Sequence, residues 1–196
     1  MKIPDKYKVI WEKSYPLLQQ GRPGDDNHAL EVVDFVLTHA DPDHLDVLVP
    51  VAIMHDIGHS SILPEHFRYI TGKDKVLNGK LVHMLVGAKI ARDILVSIQY
   101  DEKKSDEIVE IISMHDADQL EGTDTEKVYD TENKKMFHDI DCMDRYNSER
   151  LKAMEKSLPD KGKVITILEK GLDNFFYPKF REIAEKRLEN MKIEGK

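Results

Sequence analysis

A single cysteine, Cys142, in 196 residues excludes a disulfide framework and an all-thiolate zinc site. Nowhere does an apolar run approach the roughly 18 residues a membrane-spanning helix needs. Basic residues are outnumbered, 29 Lys and Arg against 37 Asp and Glu, for a formal charge of -8. That balance argues against general binding of a nucleic acid polymer, which calls for a basic patch. It leaves small anionic substrates open, because a bound dication would offset the charge locally. Residues Met1 to Lys6 lack the apolar core of a signal peptide, so a cytoplasmic protein is expected, with no membrane partner. Convincing strand pairs, hairpin turns, internal repeats and low-complexity stretches are all missing.

What remains is helix, and the length suits one domain with a sizeable core. The patterning predicts helices over about residues 6–20, 25–40, 43–57, 77–99, 104–115, 135–157, 160–170 and 178–193. Asp25 or Asp26 is expected to cap the second. Residues 58–75 read as loop with one helical turn at Pro64, and 119–134 as a solvated loop. The run Leu45 to Met54 is apolar all round, which marks a buried helix, with Pro50 inside it as a local conflict. The last helix carries Phe180, Ile183, Ala184, Leu188 and Met191 on one stripe. The cluster Phe175, Phe176, Tyr177 suits a core and a homodimer contact equally.

That buried run ends in His55-Asp56, an imidazole and a carboxylate where the pattern places the core. Buried bare they are too costly, so they must be paired or hold a cation. Three more histidines fall on apolar helical faces. His28 shares its face with Val32 and Phe35, His83 with Gly87, Ile90 and Ile94, and His115 ends the stripe Ile108, Ile111, Ile112. One inward histidine is ordinarily a hydrogen-bonded core residue. Four, with an adjacent aspartate, suit a metal site built from several helices of a bundle. His39, His44, His66 and His138 flank loops or charged runs and are expected to be solvated, and Asp139 to be surface charge. His59 reads equally as a substrate contact and as an exposed residue. Phe137, Asp141 and Asp144 share a face, so at least one of these carboxylates points inward.

Taken in order, these residues resemble the HD superfamily of metal-dependent phosphohydrolases: His28, then Met-His55-Asp56-Ile-Gly-His59, then Asp141 in Asp-Ile-Asp-Cys-Met-Asp-Arg-Tyr. The segment from His83 to Gly87-Ala88 is similar to the family's His-x-x-x-Gly-Ala, and Ile108 to Asp116 to its Ile-x-x-His-Asp helix. The match covers roughly residues 25–146, with helices from about 147 to 196 packing on that core. Where some cyclic-dinucleotide phosphodiesterases of the superfamily carry lysine after Asp-Ile-Gly, this chain has His59, and the Gly-Tyr-Pro signature is missing.

The resemblance implies an all-α helical bundle of the HD-domain type, residues 1–196 as one domain. It implies hydrolysis of a small phosphate ester, a nucleotide favoured, by metal-activated water. His28, His55, Asp56 and Asp141 would hold an ion. Mixed nitrogen and hard-oxygen donors suit Mn, Fe, Co, Ni or Zn, with Mg also open. His83 and His115 would either hold a second ion, with Asp56 bridging, or act on the phosphate and its proton. Arg145 and His59 are the candidate substrate contacts; Lys80, Arg92 and Arg68 read as exposed charges. An HD-type diiron oxygenase and a non-catalytic nucleotide-sensing module are the alternatives.

Overall fold

The computed structural model describes residues 3–70, 75–147 and 161–194, and among them it is helical with no strand. The all-α expectation holds. The chain divides into two compact units, Met1–Phe137 and His138–Lys196. The first contains α1 (Lys8–Gln20), α2 (Asp25–His39), α3 (Leu45–Met54), α4 (Phe67–Ile70), α5 (Gly79–Ser97), α6 (Glu102–Ile112) and α7 (Thr125–Val128). Helix α8 (Glu132–Cys142) begins in the first unit and ends in the second. The part of the predicted 135–157 helix beyond Asn147 lies outside the described residues.

Helix α3 is buried on every side from Val47 to Met54 and packs against α1, α2 and α6. An apolar circumference leaves it no solvated face, which is why it sits at the centre. Pro50 remains inside it, and the reason is local. Proline has no N–H, so the Asp46 carbonyl one turn back loses its helical donor. Tyr100 supplies the replacement: its hydroxyl donates to that carbonyl at 2.7 Å. Tyr100 is delivered there by the end of α5, where Gln99 takes a left-handed φ of 54°. The Tyr100 N–H then bonds the Leu95 carbonyl and the Gln99 N–H that of Val96, as a Schellman cap requires. The Asp46 carboxylate meanwhile takes Lys6, Lys104 and the Tyr7 hydroxyl, fastening the start of α3 to both neighbours.

Beyond α3 the chain turns through a 3-10 segment, Ile57–Ser61, that lies on α5. The approach is close enough to demand glycine. A Cβ on Gly58 would collide with the His83 carbonyl and stand 2.7 Å from the Gly87 nitrogen. Gly87 lies on the other side of this contact; a Cβ there would stand 3.3 Å from the Gly58 nitrogen. Asp25 and Asp26 do not cap α2; Gly24, at φ 96°, holds that position and needs its missing side chain to do so. Residues 119–134 are less solvated than expected. Lys134 is buried, its ammonium bridging Glu110 and Asp130 at 2.7 Å each.

The second unit holds the end of α8, a 3-10 turn Met143–Tyr146, α9 (Lys161–Gly171) and α10 (Pro178–Glu194). Phe180, Ala184, Leu188 and Met191 are buried as the stripe predicted, with Ile183 at its half-buried edge. Here two sequence expectations fail. His138 and Asp139 are buried, not solvated. The Asp139 carboxylate accepts the N–H groups of Phe176 and Tyr177 at 3.0 and 2.7 Å and sits 3.1 Å from His138 Nδ1. A loop with two backbone donors to satisfy gives an aspartate a reason to be inside, and no periodicity reveals that. Phe175 and Phe176 lie against Tyr146 and His138 of the same unit.

Two outcomes follow for stability. Tyr100→Phe strands a buried carbonyl and should cost about 1–3 kcal/mol in urea unfolding, with the slope unchanged. Gly58→Ala forces backbone apart and should cost more, about 3 kcal/mol or above, in the same assay.

Candidate metal centre

Two His-Asp pairs are placed by the same local device. Helix α3 ends at Met54, one residue before His55, and α6 at Ile112, three before His115, and each pair is followed by a 3-10 turn, Ile57–Ser61 and Ala117–Gln119. Asp56 and Asp116 share the bridge conformation, φ −98°, ψ 0° and φ −102°, ψ 20°. The second pair is therefore placed as the first is, past a helix end and before a 3-10 turn. At each end the histidine ring folds back so that Nδ1 meets the carbonyl three residues earlier: Ala52 at 3.1 Å for His55, Ile112 at 2.8 Å for His115. His83 on α5 does the same with Gly79 at 3.3 Å. A carbonyl only accepts, so Nδ1 carries a proton in all three rings and Nε2 is the atom turned inward.

These rings, with His28 and His59, converge on Asp56. Its Oδ2 faces His55 Nε2 at 3.6 Å and His28 Nε2, from α2, at 4.0 Å; the two ring nitrogens are 3.0 Å apart. Its Oδ1 faces His59, His83 and His115 at 3.4, 3.7 and 3.8 Å, and the Nε2 atoms of His83 and His115 are 3.2 Å apart. The carboxylate thus stands between two sets of imidazoles, one at each oxygen. His59 lies stacked on His83, with its Nε2 buried and without a hydrogen-bond partner among the described residues. Asp116 adds a carboxylate 3.7 Å from His83 Nε2.

Burial by itself would raise the Asp56 carboxyl. The charge of His55, the His115 and His59 rings and the Arg22 guanidinium outweigh burial and hold it well below the usual carboxylate range. Burial pushes His83 down to about 3, helped by His115 and His59 beside it. His83 therefore stays neutral at physiological pH.

A family model described as HD domain matches residues 25–162, well over half of the chain. The chain belongs to the HD domain family. No curated protein and no solved structure shows significant similarity to it. An HD domain is typically a metal-dependent hydrolase domain and binds divalent metals, and the donor set here fits that role. The Nε2 atoms of His83 and His115 face each other at 3.2 Å while the Nδ1 of each ring is turned to a backbone carbonyl. Imidazoles together with carboxylates suit transition ions. The backbone carbonyls that orient the rings are the outer contacts such ligands require. Among described residues, Asp56, His59 and His83 can each offer an atom to one ion, and so can His83, His115 and Asp116.

Of the residues singled out in the sequence, the first unit of this HD domain brings together His28, His55, Asp56, His59, His83 and His115. Asp141, on the last turn of α8, and Arg145, on the Met143–Tyr146 turn, are half-buried and belong to the second unit. Of the histidines expected in solvent, His39, His44 and His66 are in fact half-buried, and His44 bonds Asn133 at 2.7 Å. Arg22, read only as part of a helix-ending Gly-Arg-Pro-Gly loop, was missed. Its guanidinium bonds Asp56 Oδ2 at 2.5 Å and Asp25 Oδ1 at 3.0 Å. The one available signal was an arginine held between glycine and proline three residues before a buried aspartate. Lys80 is not a free surface charge either; it pairs with Asp116 at 3.3 Å. Arg92 pairs with Asp106, as an exposed charge does.

The depressed His83 value gives a pH dependence of stability. In the unfolded chain His83 takes a proton near 6.5, and in the folded chain only near 3. Between those values the unfolded state binds more protons, so stability falls as pH drops below 6.5, by up to about 1.4 kcal/mol per unit. Urea unfolding from pH 7 to 5 should show this decline, and His83→Gln should flatten it.

Proposed function

We propose that this HD domain is a metal-dependent phosphohydrolase acting on a small phosphate ester, with a nucleotide as the favoured substrate. The observation that carries the reading is the Asp56 carboxylate with imidazoles at both oxygens, beside a cavity of about 560 Å³. His59, His83 and Asp116 line that cavity together with Arg22 and Lys80. Donors for metal thus meet cations for phosphate at one opening.

In this reading His28, His55 and Asp56 serve one ion, and His83, His115 and Asp56 a second, with Asp56 between them. Asp141 keeps the part of metal ligand that the family resemblance implies, and Arg145, a cation close behind it in the sequence, that of a phosphate contact. A divalent ion bound there supplies an acidified water and neutralises phosphoryl charge. The side chains do the rest. Arg22 and Lys80, each already turned to a carboxylate of the cluster, hold phosphoryl oxygens and fix the ester against it. Their planar and point-charge donors share the dianion that a phosphate monoester presents. His59, whose Nε2 is otherwise unsatisfied, is placed to take or return the proton as the ester oxygen leaves.

The test is phosphate release from a panel of nucleotides and simple phosphomonoesters with Mn, Co, Ni, Fe or Mg added. Turnover should require metal and fall at least about a thousandfold in Asp56→Ala. Arg22→Gln should lower kcat/KM about tenfold to a hundredfold, the loss expected for one charge-assisted hydrogen bond. Protein with metal bound that releases phosphate from none of these esters would sink the reading.

A further inference from the structure

The cavity has two kinds of wall. One consists of the charged and metal-type residues just described. The other is apolar: Pro23, Ile62, Phe67 and Ile70. Phe67 is 51% exposed, and Ile62 and Ile70 are half-buried. Ile70 is seated by the chain itself. A Cβ on Gly79 would stand 2.6 Å from Ile70 Cγ2, so the glycine that starts α5 makes room for that side chain. The next residue of α5 is Lys80, so apolar wall and phosphate cation are joined at one helix start. Asn78 fixes that start by accepting from the Lys80 and Leu81 N–H groups.

From this juxtaposition we infer that Phe67, Ile62 and Ile70 select the organic part of the ester. The substrate is a phosphomonoester whose alcohol carries a flat, largely apolar ring, and open-chain polyol phosphates are disfavoured. The inference rests on the hydrolase reading for the position of the phosphate and adds the part of the molecule the enzyme reads. A cavity of about 560 Å³ is large for a bare phosphate and suits a phosphate with one ring system attached. The ring lies against Phe67 offset or edge-on, the arrangement aromatic pairs prefer. Its apolar face is covered by Ile62 and Ile70, while its phosphate stays with Arg22 and Lys80.

The experiment separates ring recognition from chemistry by using phosphonates, which bind but are not hydrolysed. Mn-loaded protein is titrated calorimetrically with phenylphosphonate and with methylphosphonate, and hydrolysis of phenyl phosphate and glycerol phosphate is followed in parallel. Phenylphosphonate should bind about tenfold more tightly than methylphosphonate, the gain expected for partial burial of one ring. Phe67→Ala should reduce that preference to about threefold or less, and Phe67→Tyr should restore it. Because Phe67 is half exposed, folding does not depend on it, and circular dichroism of the variants checks this. Equal affinity for the two phosphonates, or a preference untouched in Phe67→Ala, overturns the inference even if both esters are hydrolysed. A preference that Phe67→Ala removes, in metal-loaded protein that hydrolyses no ester of the wider panel either, upholds ring recognition by this wall and removes the hydrolase reading.

Discussion

A carboxylate buried in a helical core is tolerable only while something positive or polar surrounds it, and Asp56 is that carboxylate here. Five imidazoles and a guanidinium reach its two oxygens, drawn from the loop before α2, from α2, α5, the end of α3 and the turns after α3 and α6. No single helix could supply them. The first unit is arranged so that helix ends and helix faces from distant parts of the sequence meet at this group. The same arrangement that makes Asp56 tolerable also positions it to hold a metal, because the cost of burying it is met by atoms that suit a dication.

That constellation needs a fixed floor, and α3 provides it. Its fully apolar surface commits it to the centre. The proline within it is accommodated because Tyr100, turned out by a left-handed residue at the end of α5, supplies the donor that proline lacks. The glycines at 58 and 87 then let the turn carrying His59 lie directly on the helix carrying His83. Three local features, each unremarkable alone, set the spacing between ring nitrogens and carboxylate oxygens.

Much of this was legible in the sequence because buried polar residues stand out against an apolar pattern. His28, His55, His83 and His115 announced themselves by sharing faces with valine, isoleucine and glycine. The all-α class followed from periodicity. What periodicity cannot express is a residue whose role comes from a loop partner. Arg22 lies in a turn with no period, and its contact with Asp56 spans 34 positions. Asp139 looked like surface charge because neighbouring residues are charged, yet its work is to satisfy two N–H groups nearly forty residues away. The likeness of the two His-Asp pairs is hidden for a related reason: it lies in the turn that follows each, not in the residues that precede it.

The contrast between the walls of the cavity has an evolutionary meaning. His55, Asp56, His83 and His115 are buried and shared with the core, so a change there costs folding. Phe67 and its neighbours sit at the opening with much of their surface in water, where substitution costs little. On the hydrolase reading proposed above, a lineage carrying this fold can change substrates at the opening alone, with its chemistry kept, and relatives with the same floor need not share the same ester.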